Sequence, residues 1–340
     1  GLTDDGRAGY PYMFTVVNNT IVWTNGIDPP LVISYDGMVV PLGFDKAPGP
    51  PEAAGPQQSS SITRDYPNQE GYSWPGRIGT IGDYVDNNDG AVLAGRWKYA
   101  TAYEDVHGNS SPLSGESVEI AIALQRANAR VGTADAVDRS TLLDNLPRQF
   151  VVKGSGDAPA HAVATRLYRT PDGNRFPGTY RLVTRMAGTK NFVYADNIPD
   201  SRLGEPAKDY LPTPRFSSMT SHAGSLVIAE GPYVMRSEVG YPGTFPAEFA
   251  TTPDPDGAIV TALASHAGRL IAFTERAMID ITDPTAPPQV MVRGIGCVAP
   301  RSVQGLPDGT LIWLSGGAFD GCRPEKGAMK PSDPLPRRGT

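Results

Sequence analysis

Two near copies dominate the chain. Ser221-His222-Ala223-Gly224-Ser225-Leu226-Val227-Ile228-Ala229-Glu230 recurs 44 residues later as Ser265-His266-Ala267-Gly268-Arg269-Leu270-Ile271-Ala272-Phe273-Thr274-Glu275. Each places a small-residue turn before a short apolar run. A weaker third copy, Pro307-Asp308-Gly309-Thr310-Leu311-Ile312-Trp313-Leu314, sets its glycine 41 residues after Gly268. A period of about 40 to 50 residues built from short strands is the pattern of β-propeller blades, because each unit has apolar faces that only a stacked neighbour can bury. The recurrence constrains architecture before it says anything about chemistry.

The N-terminus carries a related hairpin. Tyr12-Met13-Phe14-Thr15-Val16-Val17 ends at Asn18-Asn19, and Thr20-Ile21-Val22-Trp23-Thr24 ends at Asn25-Gly26. Asn and Gly tolerate positive φ and so make tight turns between strands. Thr20 to Thr24 matches Thr310 to Leu314 in pattern, which predicts a first blade over residues 1–44. Residues 45–93 read as a Pro/Gly-rich loop or linker, beginning Lys46-Ala47-Pro48-Gly49-Pro50-Pro51-Glu52-Ala53-Ala54-Gly55-Pro56, where regular structure is not expected. Over 94–212 short alternating runs return: Trp97, Tyr99, Thr101 and Tyr103, then Ile120 and Ile122, Phe150 to Val152, Ala164 to Thr170, Tyr180 to Val183, and Asn191 to Asp196. Six or seven strands in such a span fit an inserted sandwich of immunoglobulin or fibronectin type III kind. Blades resume over 213–322, and 323–340 reads as a Pro-rich basic arm. The expected fold is all-β, a partial or open propeller with an inserted sandwich. An open propeller exposes sheet edges that a partner must cover.

Glycine and proline, 38 and 33 of 340 residues, suit many short strands and many turns. The net charge of −6 argues against a surface that coats nucleic acid, while an acidic wall would let DNA slide without sticking. No run approaches the length of a membrane-spanning helix. Gly1-Leu2-Thr3-Asp4-Asp5 has neither a basic region nor an apolar core, so no signal peptide is expected in this sequence.

Several stretches together resemble tail structural proteins of tailed bacteriophages. Val17 to Pro30 resembles their opening blade. Tyr99-Ala100-Thr101-Ala102-Tyr103-Glu104-Asp105 with Gly108-Asn109-Ser110-Ser111-Pro112-Leu113-Ser114 resembles the first hairpin of their fibronectin-like insert. Leu167-Tyr168-Arg169-Thr170, Tyr194 to Asp200 and Leu203-Gly204-Glu205 resemble its last strands. Gly231 to Glu238 with Tyr241 to Pro246 resembles a further blade. The resemblance implies a virion protein of nozzle or hub type: a homo-oligomeric ring around the DNA ejection path, contacting adaptor, fibre or tube proteins. The alternative is a glycan- or receptor-binding virion decoration, or a surface or secreted carbohydrate-active β-protein.

The chemistry-bearing residues have simpler readings, and no catalytic, cofactor-binding or metal residue is expected. His222 and His266 occupy one place in two repeats and read as turn histidines, separated by the step between blades. Ser221 and Ser265 lack the G-x-S-x-G elbow of a nucleophile. Asp254 and Asp256 could form a glycosidase pair but lie in the Pro-rich turn Thr252-Pro253-Asp254-Pro255-Asp256-Gly257. Asp83, Asp86, Asn87, Asn88 and Asp89 lack the ligand spacing of an EF-hand. Gly76-Arg77-Ile78-Gly79-Thr80-Ile81-Gly82 lacks the Lys-Ser/Thr of a phosphate loop. Cys297 and Cys322 with four scattered histidines make no zinc set; whether the two cysteines pair stays open. Asn18-Asn19-Thr20 and Asn109-Ser110-Ser111 read as turns rather than glycan acceptors. The expectation is a non-enzymatic protein.

Overall fold

The computed structural model describes residues 12–54, 95–117, 119–122, 150–154, 156, 158–171, 179–188, 192–196, 198, 200–307, 310–316, 318–325 and 328–331. The chain is all-β, built of small antiparallel sheets, and among the described residues none closes into a barrel. It divides into two compact units. Unit 1 holds residues 1–46, 107–110 and 209–340; unit 2 holds 47–106 and 111–208.

Among the described residues unit 1 contains four four-stranded sheets, each with its strands in chain order. The first comprises Met13–Val17, Thr20–Thr24, Leu31–Ile33 and Val39–Pro41. The second comprises Ser218–His222, Ser225–Glu230, Tyr233–Arg236 and Ala250–Thr251. The third comprises Ala262–His266, Arg269–Phe273, Ala277–Asp280 and Gln289–Arg293. The fourth comprises Gln304–Gly305, Leu311–Ser315, Ala318–Glu325 and Ala328–Pro331. The sequence repeat therefore marks only the first hairpin and third strand of each unit; the fourth strands carry no recurring signature.

The repeat is reproduced residue by residue. Val17 pairs with Thr20, His222 with Ser225 and His266 with Arg269, so the three opening hairpins share one register. Their two-residue turns all require positive φ at both positions: Asn18 and Asn19, Ala223 and Gly224, Ala267 and Gly268. These are the mirror-image turns whose twist matches that of paired strands.

Alternation on each strand sends side chains to two different cores. Val17, Val22 and Val32 of the first sheet pack with Met219, Leu226, Ile228 and Met235 of the second. Val227, Ala229 and Val234, on the other face of the second sheet, pack with Leu263, Leu270, Ala272 and Ile279 of the third. Ala262, Ala264, Ile271, Phe273 and Met278 then pack with Leu311 and Trp313 of the fourth. Three cores thus run in series between four sheets.

Two sequence expectations are corrected. Glu52–Ala54 is a strand, paired Glu52 to Lys153 and Ala54 to Val151, although the linker was expected to be without regular structure. Pro50 and Pro51 end just before it, so its three residues keep the backbone N–H groups a ladder needs. The arm expected over residues 323–340 is sheet in its first part: Ala318–Glu325 and Ala328–Pro331 complete the fourth sheet, with Arg323 opposite Lys330 and Pro324 opposite Met329. Proline is tolerated there because not every ladder position has to donate. Residues 332–340 lie outside the described residues.

In unit 2, Tyr99–Asp105, Ala162–Arg169 and Arg181–Ala187 form one three-stranded sheet, and Glu52–Ala54, Phe150–Lys153 and Val193–Asp196 another. They share a core containing Trp97, Tyr99, Val152, Leu167, Val183 and Tyr194. Gly95–Trp97 pairs separately with Ile120–Ile122. Beside Tyr99–Asp105 runs Ser111-Pro112-Leu113-Ser114-Gly115-Glu116-Ser117. Every third residue is a serine that supplies both partners of a backbone pair. Ser114 N donates to Thr101 O (2.8 Å) and Ser114 Oγ accepts from Thr101 N (2.9 Å). Ser111 does the same with Tyr103, and Ser117 with Tyr99.

Candidate functional site

The hairpin tips of unit 1 hold the groups that the repeat singles out, and the structure brings two of them together. His222 Nδ1 lies 2.9 Å from Ser265 Oγ. Copies expected to stand apart therefore meet: the turn histidine of the second sheet reaches the serine beside the turn of the third. His222 is buried and Ser265 exposed. Burial, reinforced by the Arg236 charge and opposed by Asp280, holds the imidazole below its usual pKa and so neutral at pH 7.

The contact recurs one step on. Gly305 pairs with Leu311 as Ser265 pairs with Leu270, so Gly305 occupies the serine's position in the fourth sheet. A Cβ on Gly305 would lie 2.5 Å from His266 Nδ1 and 2.8 Å from Cε1. The glycine lets the ring come closer than a serine would, and His266 Nε2 is buried without a hydrogen-bond partner. One step earlier, Asn18 Nδ2 donates to Gly224 O (3.1 Å). Neighbouring sheets are thus fastened tip to tip.

A hydroxyl also accepts from a backbone N–H of the second strand in the second, third and fourth sheets. Ser237 N donates to Leu226 O (2.8 Å) and Leu226 N donates to Ser237 Oγ (2.9 Å). In the third sheet Leu270 N donates to Thr282 Oγ1 (2.9 Å), and in the fourth Leu314 N donates to Ser302 Oγ (2.8 Å). Arg236 Nη2 donates to the carbonyls of Ile281 and Thr282, crossing from the second sheet to the loop after the third strand of the third. The cleft beside it, lined by Val227, Val234, Phe249 and Pro284 among others, has a volume of about 30 Å³, room for about one water.

Unit 2 buries an ion-pair cluster that the sequence reading passed over. Arg169 and Asp196 are fully buried and joined at 2.6 Å; Arg169 Nη2 also donates to Ile198 O and Asp200 Oδ1. Tyr99 Oη donates to Asp196 Oδ2 (2.7 Å), and burial together with the Asp196 charge holds the phenol proton in place. The signal was available: Arg169 follows Leu167 at the core-facing period of its strand, where an unpaired charge could not stay. A second carboxylate, Glu104, accepts from Arg166 and from both ends of Arg185. These groups are consumed by one another.

No protein-family model matches this chain, and no curated protein matches it.

The remaining candidates do not assemble. Asp254 is buried, its Oδ1 accepting from Asp256 N in a local turn, while Asp256 is exposed beside Arg293; the two carboxylates do not face one another across a cleft. Among the described residues no carboxylate is hydrogen-bonded to the His222 ring, so there it forms a pair with Ser265 and not a triad. Cys297 is a free, buried thiol donating to Ala299 O, with its pKa raised by burial; the Cys322 side chain lies outside the described residues. Asn18 and Asn19 form their hairpin turn, and Asn109 is fully buried with its Oδ1 accepting from Gly243 N. The acidic stretch 83–89 and the glycine stretch 76–82 lie outside the described residues. Among the described residues, no group of three or more His, Cys, Asp or Glu is placed to hold a metal ion, and no helix is long and apolar enough to cross a membrane.

Proposed function

We propose that this chain is a non-enzymatic structural protein of a bacteriophage tail, of nozzle or hub type, with unit 1 an open part of a β-propeller and unit 2 a fibronectin type III-like sandwich inserted in its sequence. The observation that carries the reading is the series of four like sheets in unit 1, fastened at equivalent hairpin tips and sharing three successive cores. The opening strands of the first three sheets lie side by side, first against second and second against third, as the inner strands of blades do around an axis. The polar groups at the hairpin tips serve the contacts between sheets, which favours a scaffold over an active site. The ordered motifs set out above, from Val17 to Pro246, add the tail assignment. In that role the protein surrounds the DNA path as a homo-oligomer and contacts other tail proteins, with its net charge of −6 easing passage of the duplex.

Electron microscopy of the purified chain, and of the particle it comes from, tests this. A symmetric ring located on a tail supports the proposal. A monodisperse monomer that depolymerises a host polysaccharide overturns it.

A further inference from the structure

The first sheet leaves one apolar face bare. Phe14, Val16 and Ile21 are 73%, 58% and 40% exposed, and Tyr12, itself exposed, stacks on the half-buried Trp23 with ring centroids 5.7 Å apart. The shared register identifies the same positions in the other sheets. Phe14 opposite Trp23 corresponds to Met219 opposite Ile228 and to Leu263 opposite Ala272; Ile21 corresponds to Leu226 and Leu270. Those six residues are all buried, each against the sheet before it. The first sheet has the residues for such a contact, and among the described residues no sheet precedes it. One polar contact comes near, Arg301 Nη2 donating to Tyr12 O at 3.5 Å, and it leaves the face uncovered.

The complementary face is carried by the same chain. Ile312 and Leu314 of the fourth sheet occupy the positions of Ile271 and Phe273, which are completely buried against the next sheet; in the fourth they are only half-buried. We propose that the bare face of the first sheet, Phe14, Val16, Ile21 and Trp23, docks the fourth sheet of a second copy of this chain, continuing between molecules the contact that joins sheets within one. The interface is heterologous, head to tail, and so builds rings or open arrays rather than isolated two-fold dimers. The inference rests on the propeller reading of unit 1 and not on the tail assignment.

Sedimentation of the full-length chain over a wide concentration range tests it, with Phe14→Glu and Ile312→Glu as separate variants. Both positions are already solvent-accessible, and unchanged circular dichroism and melting confirm that each variant folds. The wild type associates, and each variant associates about tenfold more weakly or worse. Mixing the two variants restores one intact interface per pair and yields a capped heterodimer. A wild type that stays monomeric overturns the proposal. So does association that Phe14→Glu abolishes and Ile312→Glu leaves intact, because the fourth sheet is then not the occupant. If association behaves as expected but no ring is found on a tail, only the tail assignment fails.

Discussion

His222 of the second sheet and Ser265 of the third, the same two letters of one repeated tetrapeptide read out of phase, are hydrogen-bonded at 2.9 Å. The second sheet offers its histidine forward and the third its serine backward. Removing either partner costs about 1 kcal/mol, and a double-mutant cycle of His222→Ala and Ser265→Ala returns a coupling of about 0.5–1.5 kcal/mol in urea unfolding.

The same pair gives a pH dependence. The folded-state pKa of His222 lies below its ordinary value, so the unfolded chain binds the proton more readily. Stability is therefore full above the unfolded pKa of about 6.5 and declines as pH falls through it toward the folded value. His222→Gln flattens this decline in urea midpoints measured from neutral pH downward. Equal slopes for variant and wild type rule the assignment out.

Gly305→Ala is expected to destabilise unit 1 by about 1–3 kcal/mol, since the new methyl meets the His266 ring. In a His266→Ala background the same substitution costs much less. Thermal melts of the two single variants and the double variant measure the difference.

Ala267 holds φ +48°, a conformation that asparagine adopts more readily than alanine and that Asn18 adopts in the first hairpin. Ala267→Asn raises stability by about 0.5–1 kcal/mol, read as a higher melting temperature.

Ser237→Ala strips the acceptor from Leu226 N and costs about 1–3 kcal/mol, whereas Ser237→Thr, which restores the hydroxyl that Thr282 offers in the third sheet, recovers most of it. Chemical denaturation of both variants separates the hydroxyl from the side-chain volume.

In unit 2, Arg169→Met leaves Asp196 buried without its counter-charge and costs about 3–5 kcal/mol; adding Asp196→Asn recovers part of the loss. Unfolding followed by the near-ultraviolet signal of Trp97 and its neighbours reports it.

What the sequence made legible was local. Asn18-Asn19 and the Ala-Gly pairs announce their turns because few residues tolerate positive φ twice, and the apolar runs after them announce strands because alternation survives in the letters. Long-range pairing left no such trace. Nothing in Gln289 to Arg293 marks it as a fourth strand, since an outer strand packs on one side and tolerates Gln and Arg. Glu52–Ala54 was hidden by the prolines before it. The meeting of His222 with Ser265 depends on how far one sheet is turned against the next, a quantity the spacing does not encode. Arg169 and Asp196, 27 residues apart, read as surface charges until the strands that carry them are seen to share a core.

The three cores in series have a consequence for how damage spreads. Leu226 and Val227 are consecutive, yet one belongs to the contact with the first sheet and the other to the contact with the third. An inner sheet has no hydrophobic interior of its own; it is half of two. Unit 1 therefore behaves as a row of nearest-neighbour couplings, in which loosening one sheet lowers the stability of both flanking contacts and leaves more distant ones untouched. Among the described residues the first and fourth sheets share one such core each, and they are the ones with most to gain from a neighbour.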